Sequence, residues 1–404
     1  MITSLAWRNV WRNKTRSFAV ILALTMGLFG ALFIASMSNG MVDKWIKNAI
    51  ENEISDIQIH DKQYLIMEEL GLTMDESAMA ATLSKNENIR TFTSRIKTDA
   101  MAMTANNSTQ VSLIGIDPER EKEVTTVHTY LIDGEYLEST STFKPIIISE
   151  RLAEKLKVRL KSKIIFTLAD QTGNMAYENF KVNGIFDTNS TMFDDRNVFV
   201  RKSDLRKILK LPEGQAHEVA LRVKDPEALS STVSLLQQTF SDYKTQDWKE
   251  INPTLSMSGS MMSLFNYILV GIVLIALIFG IINTMLMAIL ERTKEIGMLR
   301  SLGMSKKKIA KMITLETIFL CLVGGIVGNL LALVSIEYYG QVGMHFESFK
   351  EGMEQFGMSA YIYPKLDYSF YLIITCMVIF TAVLSSIFPI IRAFKLNPAL
   401  AIRD

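Results

Sequence analysis

Four stretches of the chain run without charge for about the length of a membrane crossing, while the residues between the first two alternate polar and apolar positions as a folded aqueous domain does. Phe18 to Met37 contains no charged residue and reaches the ~20 residues that a helix needs to cross the hydrocarbon core. Leu264 to Leu290 is also uncharged and longer, which predicts a span that tilts or projects from the bilayer as a stiff stalk. Thr317 to Ile336 makes a third span with Glu316 at its entrance, and Tyr368 to Ile391 a fourth, bounded by Asp367 and Arg392.

Between the first two spans, Ser55 to His60, Gln110 to Ile116, Pro145 to Ser149, Ile164 to Leu168 and Val198 to Val200 read as strands. Asp133-Gly134, Thr172-Gly173 and Asn183-Gly184 read as turns, and Asp225-Pro226 opens a helix expected to run to Phe240. The fold class is therefore an α-helical membrane protein with four transmembrane helices and a large extracytoplasmic α+β domain between helices 1 and 2. The expected segments are a basic N-terminus (1–17), first span (18–38), large domain (39–263), second span and stalk (264–290), short cytoplasmic helix (291–311), third span (312–336), short loop (337–367), fourth span (368–391) and tail (392–404).

Composition agrees with two solvents. A 404-residue chain with 49% hydrophobic residues and mean hydropathy +0.19 is too apolar for an ordinary soluble protein, and 21% charged residues is too many for one lying wholly in lipid. The net charge of +1 does not suggest nucleic acid, because the cations are gathered in short loops. Residues 1–17 hold Arg8, Arg12, Lys14 and Arg16 without an acid, and 291–311 hold seven cations against two acids. Residues 337–367 instead hold five acids against two lysines. By the positive-inside rule, both termini and 291–311 are cytoplasmic, and the large domain faces outward. The first apolar run exceeds the ~7–15 residues of a signal-peptide core, so an uncleaved span is expected.

Within 291–311, Ile296, Leu299 and Leu302 recur at helical spacing with Glu295 and Arg300 beside them, which predicts a narrow apolar ridge with a polar edge. A partner groove is its natural receiver. The chain has no G-x-x-x-x-G-K-[ST] phosphate loop, and Gly-Lys never occurs. His60, His128, His217 and His345 lack metal-ligand spacing and read as solvated or structurally satisfied, while Cys321 and Cys376 lie inside apolar runs. The mixed-charge run Asp117 to Glu123 reads as a solvated face. No catalytic residue, metal site or cofactor of this chain is indicated.

Three features of the spans leave alternatives open. Gly324-xxx-Gly328 allows close helix packing, either within the chain or across a subunit boundary. Asn283 and Thr284 put polar groups in the second span, for helix-to-helix hydrogen bonding or for a substrate path. Phe33, Met37 and Met41 near one span's outer end, and Met261, Met262 and Phe265 near the other's, suit either ordinary lipid and helix contact or a surface for variable apolar cargo.

The residues resemble a family. Asn283 to Ile309, NTMLMAILERTKEIGMLRSLGMSKKKI, is similar to the second span and coupling helix of MacB/FtsX-like permeases of ABC transporters, and Phe388 to Asp404 resembles their C-terminal motif with Pro389, Asn397, Pro398 and Arg403. The large domain resembles lipoprotein-releasing permeases of the LolC/LolE type in SMSNGM, LIGIDPEREKEV, IDGEYL, IIISERLAEKLKV, KVNGIFDTNSTMFDDRNVFV and TQDWKEINPTL. Lys161-Ser162 departs from their usual Gly-Asp, and the coupling region is nearer the MacB pattern. The resemblance implies a non-enzymatic permease subunit of a bacterial inner membrane with its large domain periplasmic, and ATP and Mg on two copies of a separate ATPase that receives the ridge. It further implies a second permease subunit as homodimer or heterodimer, lipoprotein cargo and a periplasmic carrier or adaptor. MacB-like efflux of peptides, toxins or macrolides, and FtsX-like mechanotransmission to a cell-wall hydrolase, are the alternatives.

Overall fold

Residues 2–67, 69–137, 143–355, 358 and 360–395 are described by a computed structural model. The C-terminal motif residues Asn397, Pro398 and Arg403 lie outside them.

The chain begins as α1 (Ile2–Arg12), whose Ala6 and Val10 turn inward, bends at Asn13 and continues as α2 (Lys14–Ala49). α2 starts ahead of Phe18 and closes in a π turn, Ile50–Ile54. The sheet strands then follow as β1 (Ile57–Asp61), β2 (Ile89–Met103), β3 (Ser108–Ile116), β4 (Leu131–Gly134), β5 (Pro145–Ser149), β6 (Lys163–Ala169), β7 (Met175–Phe186), β8 (Asn197–Arg201), β9 (Glu218–Val223) and β10 (Tyr243–Asp247). Among them lie α3 (Glu76–Leu83), α4 (Pro118–Val124), α5 (Glu150–Leu156), α6 (Lys202–Leu209) and α7 (Leu229–Thr239). The chain ends in α8 (Pro253–Glu291), α9 (Thr293–Ser301), α10 (Lys306–Val342) and α11 (Tyr368–Lys395).

Four of these helices, α2, α8, α10 and α11, are long and apolar enough to cross a membrane. They form a helical unit comprising residues up to Met41, Gly259–His345 and those from Tyr361 on. Its core interleaves Leu24, Leu28 and Leu32 of α2 with Val270 and Leu274 of α8, Ile313 of α10 and Ile374 and Val378 of α11. The approach of α2 to α10 rests on two glycines. A Cβ at Gly324 would lie 2.8 Å from Leu24 Cβ, and one at Gly328 3.0 Å from the Thr25 carbonyl oxygen. Thr25 Oγ1 donates to the Gly324 carbonyl at 3.2 Å. Both glycines therefore face α2 of the same chain.

The second unit, Val42–Ser258 with Phe346–Ala360, is the α+β domain. The strands of its ten-stranded sheet run in the order β10-β1-β9-β2-β3-β8-β5-β7-β4, with β6 bonded to β2 and β7. The β3–β8 and β5–β7 pairs are parallel and the others antiparallel. Three apolar cores result, one around Ile96, Phe166, Phe180 and Val198, one around Ile57, Ile59, Val219 and Leu221, and one around Ile147, Phe186, Phe193 and Phe199. Asn183-Gly184 does not turn as expected: it lies inside β7 beside a register shift at Ile146/Ile147. A Cβ at Gly184 would meet the Glu135 carbonyl oxygen at 2.6 Å, so the glycine serves a close backbone approach.

Candidate functional site

The stretch 291–311, expected as one short helix, divides in two. α9 ends at Ser301, and Gly303, at φ +88°, turns the chain so that Lys306 already opens α10. Gly303 N and Met304 N close the turn on the carbonyls of Arg300 and Leu299, both at 3.0 Å. This turn redistributes the ridge. Ile296 is 3% exposed and packs in the helical core with Ile289 and Ile309, so its expected place on a docking surface is corrected. The cause is geometric: a helix of nine residues held against α10 must bury one of its faces, and Ile296 is on it. Leu302 is 84% exposed, Met298 is exposed and Leu299 half-buried. A cavity of about 550 Å³ is lined here by Ile2, Leu299, Leu302, Met304, Lys308 and Lys311 among others. The apolar surface thus belongs to the end of α9 and its turn, a shift that helical spacing alone did not signal.

Glu295 is occupied within the chain. Arg12 Nη1 donates to its Oε2 at 2.8 Å and Arg292 Nε to the same oxygen at 3.1 Å. The Arg12 hydrogen bond is the main reason its carboxyl sits below the ordinary range. Arg292 also reaches Glu316 at 3.2 Å, and Asn9 donates to Glu316 Oε1. Arg16 pairs with Glu291. α1, α9 and α10 are thereby tied by one charged network, which fixes the attitude of α9. Half-exposed pairs of this kind are individually worth ~1 kcal/mol or less. Arg300, at the polar edge of the expected ridge, lies half-buried near the end of α9.

Thr284 donates to the Gly280 carbonyl one turn back at 2.8 Å, while Asn283 is exposed. Of the six candidate cargo residues, Met261 and Phe265 are exposed, whereas Phe33, Met37, Met41 and Met262 are half-buried. Phe33 stacks on Phe29 at 5.7 Å and meets the edge of Tyr339. Asn266 Nδ2 donates to Asn39 Oδ1 at 2.7 Å, setting α8 beside α2 at this level. Met261, Leu264, Phe265 and Ile268, at helical spacing, form a continuous exposed apolar stripe.

Inside the α+β domain, four carbonyls of the π turn that closes α2 are received by donors beyond the turn. Arg222 Nη1 donates to Ile50 O at 3.4 Å, Thr126 N to Glu51 O at 3.0 Å, Arg95 Nη1 to Glu53 O at 2.7 Å and Gln58 Nε2 to Ile54 O at 2.7 Å. Ser55 follows at φ +64°, a conformation costing ~1–3 kcal/mol that persists only where its surroundings over-determine it. Arg95 is 2% exposed and also bonds Glu121 and Glu218, both 1% exposed, at 2.7 Å each. Burial opposes the Glu218 charge, but Lys97 and Arg95 outweigh it and hold the carboxyl at about 2. The expectation of a solvated face over 117–123 thus fails at Glu121, which Arg95 draws into the core, while Asp117 caps α4. A lone arginine in a strand pattern gave no sequence signal for this buried cluster.

His60 and His217 are buried on either side of Tyr64, ring centroids 5.6 and 5.2 Å away. His217 Nδ1 accepts from Lys97 N at 3.0 Å, so its Nε2 carries the proton and donates to Leu70 O at 3.0 Å. Among the described residues no group of His, Cys, Asp and Glu has the arrangement of a metal site.

Residues 17–239 match the MacB-like periplasmic core domain and residues 267–398 the FtsX-like permease C-terminal domain. The lipoprotein-releasing system transmembrane protein LolC of Buchnera aphidicola is 23% identical over 395 residues, covering 95% of this chain and 92% of that protein. The macrolide export ATP-binding/permease protein MacB of Bordetella avium is 30% identical over 135 residues, 30% of this chain and 20% of that protein. The solved periplasmic region of MacB from Actinobacillus actinomycetemcomitans aligns at 16% identity and TM-score 0.37 over 53% of this chain and 98% of that one. Four membrane-length helices, an α+β domain inserted after the first and these two domain matches define an ABC transporter permease. The chain belongs to the MacB/FtsX-like family and is also similar to LolC-type permeases.

Proposed function

We propose that this chain is the membrane subunit of an inner-membrane transporter that extracts lipoproteins, driven by a separate ATPase docked on the turn after α9. In this reading both termini and α9 are cytoplasmic and the α+β domain is periplasmic, in keeping with the cations of 1–17 and 291–311. Two copies of the ATPase, holding ATP and Mg, draw two permease subunits together; Leu302, Leu299 and Arg300 meet the ATPase, and Glu295 holds α9 in place. α2 and α8 carry the movement outward, since each is a single helix of more than 35 residues. Acyl chains enter sideways along Met261 and Phe265, with Phe33, Met37, Met41 and Met262 behind them. At ~0.8 kcal/mol per buried CH₂, lifting several chains from a bilayer exceeds thermal energy many-fold, hence the ATP.

The observation that carries the reading is the near end-to-end similarity to a lipoprotein-releasing protein, joined to an exposed apolar stripe at the end of α8 nearest the α+β domain. A photo-crosslinker at Phe265 is expected to capture a triacylated lipoprotein in reconstituted membranes and to miss the same protein without its acyl chains. Equal capture of both would reject acyl recognition. The higher local identity to the macrolide exporter supports efflux as the second reading, and capture of a soluble peptide in place of the lipoprotein would favour it.

A further inference from the structure

A helix of nine residues is convex, and the end of α9 by itself offers a partner little more than the Leu302 side chain. The concavity at this place comes from a second element. The cavity of about 550 Å³ beside Leu299 and Leu302 is walled by Ile2 and Thr3, in the first turn of α1, and by Lys308 and Lys311 of α10, all within the helical unit.

α1 is fixed on two sides. Ile2, Ala6, Asn9 and Val10 recur at helical spacing along one face. Ala6 and Val10 are buried, Trp7 meets Phe319 of α10 edge-on at 5.4 Å, and Asn9 donates to Glu316 of the same helix. Arg12 donates to Glu295 of α9 at 2.8 Å. Ile2, at the open end of the inward face, is half-buried and lines the cavity.

The charge of the rim indicates the chemistry of what fits. Lys308 and Lys311 are exposed and form no ion pair among the described residues. An apolar hollow bounded by these cations is complementary to an apolar side chain flanked by carboxylates. On the reading that an ATPase docks at the turn after α9, we propose that the first turn of α1 is a second part of the same binding surface: the partner seats an apolar side chain between Ile2 and Leu302 and sets carboxylates against Lys308 and Lys311. Ser17 Oγ of α2 donates to the Val10 carbonyl of α1 across the bend at Asn13. A partner seated on α1 therefore bears on α2 directly, as well as on α8 and α10 through α9.

Equilibrium binding of the purified ATPase to the full-length permease in nanodiscs tests this surface, with thermal unfolding of each variant alongside. Ile2→Gln should weaken binding roughly ten-fold, as loss of part of an isoleucine's burial does. Thr3→Glu, at an exposed position where folding is not at stake, sets a carboxylate beside the lysines and should weaken binding as well, while Ser4→Glu, an exposed neighbour outside the cavity, should not. Wild-type binding should weaken as salt is raised, and Lys308→Gln with Lys311→Gln should bind less tightly and respond less to salt. Normal binding by Ile2→Gln and Thr3→Glu while Leu302→Asp loses it overturns the share of α1 and leaves the docking turn standing; normal binding by all three overturns the docking turn and the share of α1 with it. Binding indifferent to salt and to the lysine pair overturns the acidic partner.

Discussion

Leu302, just beyond the end of α9, and Ile296, six residues earlier, meet opposite consequences for the same substitution. Leu302 is 84% exposed, so Leu302→Asp should change folding stability by no more than ~0.5 kcal/mol. In the proposed ATPase groove the same change would remove about 2 kcal/mol of side-chain burial and leave a desolvated, unpaired carboxylate costing about 3 kcal/mol more. The total of roughly 5 kcal/mol is more than a thousandfold in affinity. Ile296, at 3% exposure, packs against Ile289 and Ile309, and Ile296→Asp should unfold the α9–α10 junction before any partner is met. Leu299, half-buried, would confound both effects. The assay is equilibrium binding of the purified ATPase to full-length permease in nanodiscs, with thermal unfolding of each variant alongside. Normal ATPase binding by Leu302→Asp refutes the docking surface, and normal thermal stability of Ile296→Asp refutes its inward placement.

Three further outcomes follow from the buried arginine cluster, the histidine stack and the glycine contact. Arg95→Met strands Glu121 and Glu218 in the core and should cost about 3–5 kcal/mol in denaturant unfolding of the full chain; a loss below 1 kcal/mol would mean that the cluster is solvated. His60 titrates at about 4 because burial disfavours its charged form, so between pH 6.5 and 4 the unfolded chain takes up a proton that the fold refuses. Its contribution is complete above pH 6.5 and falls by about 3 kcal/mol as pH drops to 4. The stability difference between wild type and His60→Gln should therefore change across that window, and a constant difference would contradict the buried neutral ring. Gly324→Leu forces a side chain where even Cβ lies 2.8 Å from Leu24 Cβ, and should lower the melting temperature and separate α2 from α10 in a cysteine cross-linking assay; cross-linking at wild-type efficiency would show that the contact is not tight.

The spans were legible because hydrocarbon imposes a length and a lack of charge that no other context requires of four separate stretches. Strands such as Pro145–Ser149 were equally plain, since buried β-branched runs have few other uses. What escaped was set by distant partners. Gly184 carries the signature of a turn, and only the Glu135 carbonyl against it reveals a strand. Glu121 sits in a run that reads as solvated, and only Arg95, 26 residues earlier, makes it core. In the candidate docking segment, spacing identified an apolar helix face but not its direction, because helical periodicity gives a face and tertiary packing decides what covers it. Met261 and Phe265 were legible as apolar; that they are exposed while Phe33 and Met37 are partly covered depended on how α8 lies against α2.

Release of cargo per ATP is the measurement that bears most directly on the account. Full-length permease, its ATPase and a fluorescent acylated lipoprotein are placed in one liposome population, with an acceptor protein outside. ATP should drive the lipoprotein to the acceptor, ATP with Leu302→Asp should not, and Arg95→Met should leave ATP hydrolysis running while release falls. Steady ATP turnover by the wild-type complex with no lipoprotein leaving the membrane would contradict the account.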